Sequence, residues 1–140
     1  MSRINSGRVL LGGLTAGLVL CVGEFILSKP LLGGMWSAVT EAHNLPPVGL
    51  GRIPVFVLLN LVLGIVLIDL YAAIRPRYGA GPKTALRAGL ILWFLVWFYG
   101  YTVGAVMGVW PTQMAVIAAA WGLFEVPLAA LAGASVYKEE

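Results

Sequence analysis

Three of the six acidic residues in this sequence, Glu24, Asp69 and Glu125, lie inside long runs of apolar residues. If these runs cross a membrane, each carboxylate must pair, hold a proton or bind a cation, because a charge at mid-bilayer costs about 2.5–3.5 kcal/mol on insertion scales. Glu125 lies near the middle of its run and is followed by Pro127, which lacks a backbone N–H and favours a kink in a helix. Glu24 and Glu125 are therefore the first candidates for a proton- or cation-binding site.

Two further polar side chains, Asn60 and Tyr101, fall at a comparable depth in two other apolar runs. Antiparallel packing of the four runs would allow Glu24, Asn60, Tyr101 and Glu125 to surround one polar pocket that opens outward. The alternative is an interhelical clamp, in which protonated carboxyl groups only form hydrogen bonds between helices.

Asp69 differs from the other two acidic residues in its depth. It lies about five residues, or roughly 7 Å, from the predicted end of its helix. Because Arg75 and Arg77 follow at that end, the favoured interpretation of Asp69 is a structural ion pair with Arg75 or Arg77.

Other kinds of site are poorly supported by the residue types. The chain has one cysteine, Cys21, and one histidine, His43, which is too few for a metal quartet or a CxxC pair. No nucleophile–base pair is visible, so we predict no metal, no cofactor and no enzymatic activity. The basic residues separate apolar runs instead of forming a basic stripe with aromatic residues, so we also predict no nucleic-acid partner.

Aromatic residues recur in the third apolar run, where Trp93, Trp97 and Tyr101 follow one another at four-residue spacing. Residues at this spacing share one face of a helix. Such a face can line a ligand site, but contact with lipid or with neighbouring helices is the commoner explanation. We therefore interpret these tryptophans as packing residues.

The composition indicates which solvent surrounds the chain. Of 140 residues, 60% are hydrophobic and 11% are charged, with a mean hydropathy of +0.93. Soluble domains usually contain about 25% charged residues, so we expect a lipid bilayer to surround much of this protein. The four apolar runs cover about residues 9–27, 53–74, 88–107 and 114–136, and each is close to the roughly 20 residues of a transmembrane helix.

The sequence thus predicts an all-α membrane protein, an antiparallel bundle of four transmembrane helices in a single domain of residues 1–140. Seven of the nine Lys and Arg residues fall on one side of this arrangement. By the positive-inside rule, both termini and loop 75–87 are cytoplasmic, and loop 28–51 is external. Within the external loop, Met35, Trp36 and Val39 have helical spacing, which predicts a short interfacial helix.

Small residues recur at helical spacing in three of the runs, as expected where membrane helices approach closely. They are Gly13, Gly17 and Cys21 in the first, Gly100, Gly104 and Gly108 in the third, and Ala118, Gly122, Ala129 and Gly133 in the fourth. These stripes are consistent with packing inside the bundle, with a homo-oligomer or with docking onto a larger membrane complex.

Three stretches, at residues 11–24, 70–85 and 121–129, resemble a group of small bacterial four-helix inner-membrane proteins that have no assigned activity. The resemblance implies a multi-pass protein of the bacterial cytoplasmic membrane. The residues described above, and not the resemblance, support two hypotheses of function. The first is a small transporter or ligand-binding protein with an intramembrane carboxylate pocket. The second is an accessory or scaffold subunit of a larger membrane complex.

Overall fold

The computed structural model describes residues 3–138, in which five helices and no strand are present. The helices are α1 Ser6–Leu31, α2 Gly33–Ala42, α3 Leu50–Tyr78, α4 Pro82–Val106 and α5 Thr112–Val136. All but α2 are long and apolar enough to cross a membrane. The predicted fold class, four long apolar helices with a short helix in the first loop, is confirmed.

The ends of the helices follow from local capping. The side-chain oxygen of Asn5 accepts a hydrogen bond of 3.1 Å from the backbone N–H of Arg8 at the start of α1. Pro82 occupies the first turn of α4, where its missing N–H has no helical partner to lose. Gly108, with φ of +75°, follows α4 and provides the left-handed conformation that commonly ends a helix.

The connection between α3 and α4 is shorter than the predicted cytoplasmic loop 75–87. The α3 helix continues through Pro76 to Tyr78, and α4 begins at Pro82 instead of residue 88. Pro76 lies in the last turn of α3, so its missing N–H removes only one hydrogen bond close to the end of the helix. The hydroxyl of Thr84 donates to the carbonyl of Gly79 over 2.7 Å and stabilises this tight connection.

Contacts between residue pairs define an antiparallel arrangement. Along α1, Gly13, Gly17 and Cys21 meet Ile65, Leu61 and Val57 of α3 in descending order. The α1 helix also packs against α5, which packs against α4, and contacts between α3 and α4 close the bundle. Each of these neighbouring pairs therefore runs in opposite directions.

Glycines allow α1 to approach both of its neighbours closely. A Cβ at Gly64 of α3 would overlap the backbone of Gly13 and Gly17, and Gly12 faces Gly133 of α5. In α4, by contrast, Gly100 is exposed, and within residues 3–138 a Cβ added there meets no atom within 4 Å beyond the adjacent backbone of its own helix. The small residues of α1 and α5 are thus used inside the bundle.

The short helix α2 packs over the end of the bundle where α1 finishes. Its Val39 is buried together with Leu32, Leu27 and Met114, and its Trp36 meets Trp110 edge to face at 6.0 Å between ring centroids. The side chain of His43, just after α2, bonds the carbonyl of Val109 in the α4–α5 connection over 2.8 Å. Both ends of α2 are therefore fixed to the bundle.

Candidate functional site

The structure brings Glu24 and Glu125 together in the interior of the bundle. In the antiparallel register of α1 and α5, the carboxyl group of Glu125 lies against Gly23. Side chains of a helix lean towards its N-terminus, so Glu24 on α1 and Glu125 on α5 lean towards each other. The two carboxyl groups are close enough to interact directly.

Glu125 is deeply buried, with 4% of its surface exposed. A Cβ at position 23 would overlap the carboxyl group of Glu125, so the site depends on a residue without a side chain. Gly23 is therefore a component of the site, and the local approach of α1 to α5 explains why glycine occurs there.

Trp97 contacts this pair through a side-chain hydrogen bond. Its indole N–H donates to Oε1 of Glu24 over 3.0 Å, and its ring lies against Gly122 of α5. Trp97 belongs to the segment Phe94–Phe98, a π-helical turn within α4. Such turns widen a helix locally and occur frequently at functional sites.

Trp121, the other indole near the pair, donates to the carbonyl of Gly23 over 3.1 Å. Within residues 3–138, neither carboxyl oxygen of Glu125 has a hydrogen-bond partner, although both are shielded from solvent. Buried oxygens of this kind are costly unless a proton or a donor satisfies them. Since two adjacent carboxylates also repel each other, the pair is best accommodated when it holds at least one proton.

Tyr101 lies near the carboxyl pair. It is half-buried and packs against the buried cluster that includes Trp97. Its ring lies 5.4 Å from that of Trp110, whose indole N–H donates to the Tyr101 carbonyl over 2.9 Å. Three of the four residues predicted to form a polar site are thus brought together.

Asn60, the fourth of these residues, lies elsewhere. Its side-chain N–H donates to the carbonyl of Phe56, one turn earlier in α3, over 3.1 Å. The backbone of Asn60 lies level with Gly17 of α1, seven residues before Glu24 and so about 10 Å away along the helix axis. The side chain of Asn60 therefore forms its hydrogen bond within its own helix and is not part of the carboxyl site.

The site is also closed, in contrast to the predicted pocket that opens outward. Beyond it, towards the end of α1, lies a cluster of buried apolar residues. This apolar plug consists of Leu27, Leu32, Val39, Met114 and Ala118, with Trp36 and Trp110 packed against it. Tyr101 contacts the same cluster and thus lies between the carboxyl pair and the plug.

The predicted ion pair of Asp69 with Arg75 or Arg77 is not seen in the part of the chain that the structure describes. Asp69 is exposed, and the guanidinium of Arg75 lies 5.4 Å from the ring centroid of Tyr137. The reason is helical geometry. Side chains meet at spacings of three or four residues, whereas these arginines follow Asp69 by six and eight positions.

Trp97 is the functional candidate that the sequence interpretation missed. Its spacing from Tyr101 was a usable signal, since both residues lie on the face that reaches the carboxyl pair. Trp93, at the same spacing, instead donates to the carbonyl of Ala119 over 2.8 Å. Of the three aromatic residues in this series, two reach the site and one only joins α4 to α5.

The donor set limits which ions the site can hold. Within residues 3–138, no group of three or more His, Cys, Asp or Glu residues is placed to bind a metal ion.

Comparison with known proteins gave no match to a family model, to a curated protein or to a solved structure. The feature of this chain from which a function can be inferred is therefore the buried Glu125 beside the half-buried Glu24, to which Trp97 donates.

Proposed function

We propose that this chain is a multi-pass protein of the bacterial cytoplasmic membrane that binds a proton reversibly at Glu24 and Glu125. In this proposal, proton binding is coupled to the transport or binding of a small ligand. The observation that carries it is the burial of Glu125 directly beside a second carboxyl group, that of Glu24. An apolar side chain would fill this position at lower cost, since a carboxyl group buried beside another one needs a proton or a hydrogen-bond donor.

A proton suits the site better than a metal cation does. Hard cations such as Ca²⁺ take six to eight oxygen ligands, whereas the site supplies two carboxyl groups and one phenol. Gly23 and the indoles of Trp97 and Trp121 also fill the space around the pair. The small volume and the low number of oxygens both favour a proton.

Infrared spectroscopy of the protein in membranes tests this proposal directly. We expect the C=O stretch of a protonated carboxyl group to appear and disappear reversibly as the pH is changed. This signal should be lost in Glu125→Gln, which removes the titrating group at nearly constant size. The matched control is Asp69→Asn, since Asp69 is an exposed acidic residue, and it should retain the signal.

A spectrum that does not change with pH would contradict reversible proton binding. The remaining explanation would be a permanently protonated carboxyl pair that only forms a hydrogen bond between helices. Loss of the signal in Asp69→Asn, with the signal kept in Glu125→Gln, would show that the titrating carboxyl group is that of Asp69 and not that of Glu125. Either result would remove the basis for a proton-coupled function.

The alternative function is an accessory or scaffold subunit of a larger membrane complex. The surface of α3 supports it, because Val55, Leu58 and Leu59 are exposed apolar residues that another membrane helix could cover. Purification from native membranes in mild detergent separates the two functions. A stable partner in fixed stoichiometry favours the scaffold, whereas a self-contained particle or a homo-oligomer favours the proton-binding function.

The proposed orientation has both termini and the short α3–α4 connection in the cytoplasm. It is supported by the seven basic residues on that side of the four spans, because loops rich in Lys and Arg remain in the cytoplasm. Reporter fusions after Lys138 and within 79–81 should therefore report a cytoplasmic location, and a fusion next to His43 an external one. A cytoplasmic signal from the His43 fusion, at normal expression, would overturn the orientation.

A further inference from the structure

A shallow, open groove lies along an exposed face of α4, away from the carboxyl pair, and its lining residues all belong to that one helix. Two basic residues, Lys83 and Arg87, line one end of it, and Leu86, Leu90 and Phe94 line the rest. All three apolar residues are exposed. The groove therefore has a cationic end at the first turns of α4 and an apolar length that continues along the span.

The geometry of the cationic end is suited to binding an anion. Lys83 and Arg87 are four residues apart and therefore lie on one face of the helix. The guanidinium of Arg87 lies 3.9 Å from the ring centroid of Tyr78. Stacking of this kind engages the flat face of a guanidinium, while its N–H donors lie in its plane and remain suited to a phosphate. The adjacent N-terminus of α4 adds the positive end of the helix dipole.

The residues that line the groove include two basic side chains, Lys83 and Arg87, and no acidic one. An anionic group therefore meets a local positive charge at this end of α4. An uncharged apolar ligand would not pair with the basic end of the groove. A soluble anion would not cover its apolar residues.

We propose that this groove binds an anionic phospholipid, with the phosphate at Lys83 and Arg87 and an acyl chain along Leu86, Leu90 and Phe94. An amphiphile with one phosphate and a long chain matches both parts of the groove. The surrounding bilayer supplies such molecules, and basic sites at membrane interfaces are known to recognise anionic headgroups.

Native mass spectrometry of the purified protein tests this site with phosphatidylglycerol and phosphatidylcholine that carry the same acyl chains. We expect the protein to retain phosphatidylglycerol and to release phosphatidylcholine. The K83Q/R87Q variant should bind phosphatidylglycerol about 30-fold more weakly, since each basic residue near an anionic lipid surface contributes about five-fold in affinity. The matched control is R3Q/R8Q, which loses the same charge at exposed positions outside the groove and should bind normally.

Equal retention of the two lipids, or an equal loss of binding in the two variants, would overturn the proposal. Phosphatidylglycerol with short acyl chains tests the apolar part, because each buried CH₂ group contributes about four-fold to binding. Short and long chains that bind equally would show that the headgroup alone is recognised and would also overturn it. Displacement by excess inorganic phosphate would identify a soluble anion as the ligand instead of a lipid. Circular dichroism of each variant establishes that its fold is intact.

Discussion

Glu125→Gln is expected to fold at least as stably as the unaltered protein, although it replaces the most deeply buried acidic residue that the structure describes. The amide of Gln has an N–H that can donate to the adjacent Glu24, and it removes the repulsion between two carboxylates. One hydrogen bond of this kind contributes about 1 kcal/mol, or roughly 3–5 °C in the unfolding temperature of a protein of this size. Thermal unfolding in detergent at neutral pH measures the change.

Glu125→Ala should have the opposite effect. It leaves a void against Gly23 and Trp121 and offers no group that can bond Glu24, so we expect a loss of about 2 kcal/mol. The matched control Asp69→Asn changes an exposed carboxylate and should stay within about 0.5 kcal/mol of the unaltered protein. If Gln destabilised the protein as much as Ala does, the carboxyl group would be a structural donor that the amide cannot replace. A structural clamp also predicts a stable Gln and a destabilised Ala, so loss of the pH-dependent infrared signal in Glu125→Gln, and not the unfolding temperature, distinguishes reversible proton binding from a clamp.

The sequence was sufficient to predict the helices, because apolar runs of about 20 residues have few alternatives in lipid. It also predicted that Glu24, Tyr101 and Glu125 share a site, since antiparallel helices bring residues of similar depth together. The limits of an apolar run fix the depth of a residue only loosely, however. Asn60 lies level with Gly17, about 10 Å along the helix axis from Glu24, and bonds Phe56 instead.

The role of Trp97 was harder to predict for a related reason. A π-helical turn inserts one residue relative to regular α-helical spacing, and the turn at Phe94–Phe98 thus changes which face the following residues occupy. Four-residue spacing suggests that Trp93 and Trp97 point the same way, yet their indoles bond Ala119 and Glu24, respectively. The sequence also did not predict that the site is covered by apolar residues. This cover depends on α2 packing against residues that are far away in the sequence.

Gly64→Ala is expected to be the most disruptive single methyl addition among the substitutions considered. A Cβ at this position would overlap the carbonyl of Gly13 and the backbone of Gly17, so α1 and α3 would have to move apart. Backbone atoms cannot rotate away as a flexible side chain can, and overpacking of this kind costs about 1–3 kcal/mol or more. Membrane helices also depend on close backbone approach for their association. We expect a fall of roughly 5–10 °C in the unfolding temperature in detergent.

Gly100→Ala provides the matched control, since it adds the same methyl group to a long apolar helix. Gly100 is exposed, and within residues 3–138 a methyl group added there meets no atom within 4 Å beyond the adjacent backbone of its own helix. Alanine is also favoured over glycine within a helix by about 1 kcal/mol, and Gly100→Ala should therefore be neutral or slightly stabilising. Opposite signs for the two variants would attribute the effect at Gly64 to the α1–α3 contact. Similar losses in both would show that glycine flexibility, and not close packing, governs the stability of the bundle.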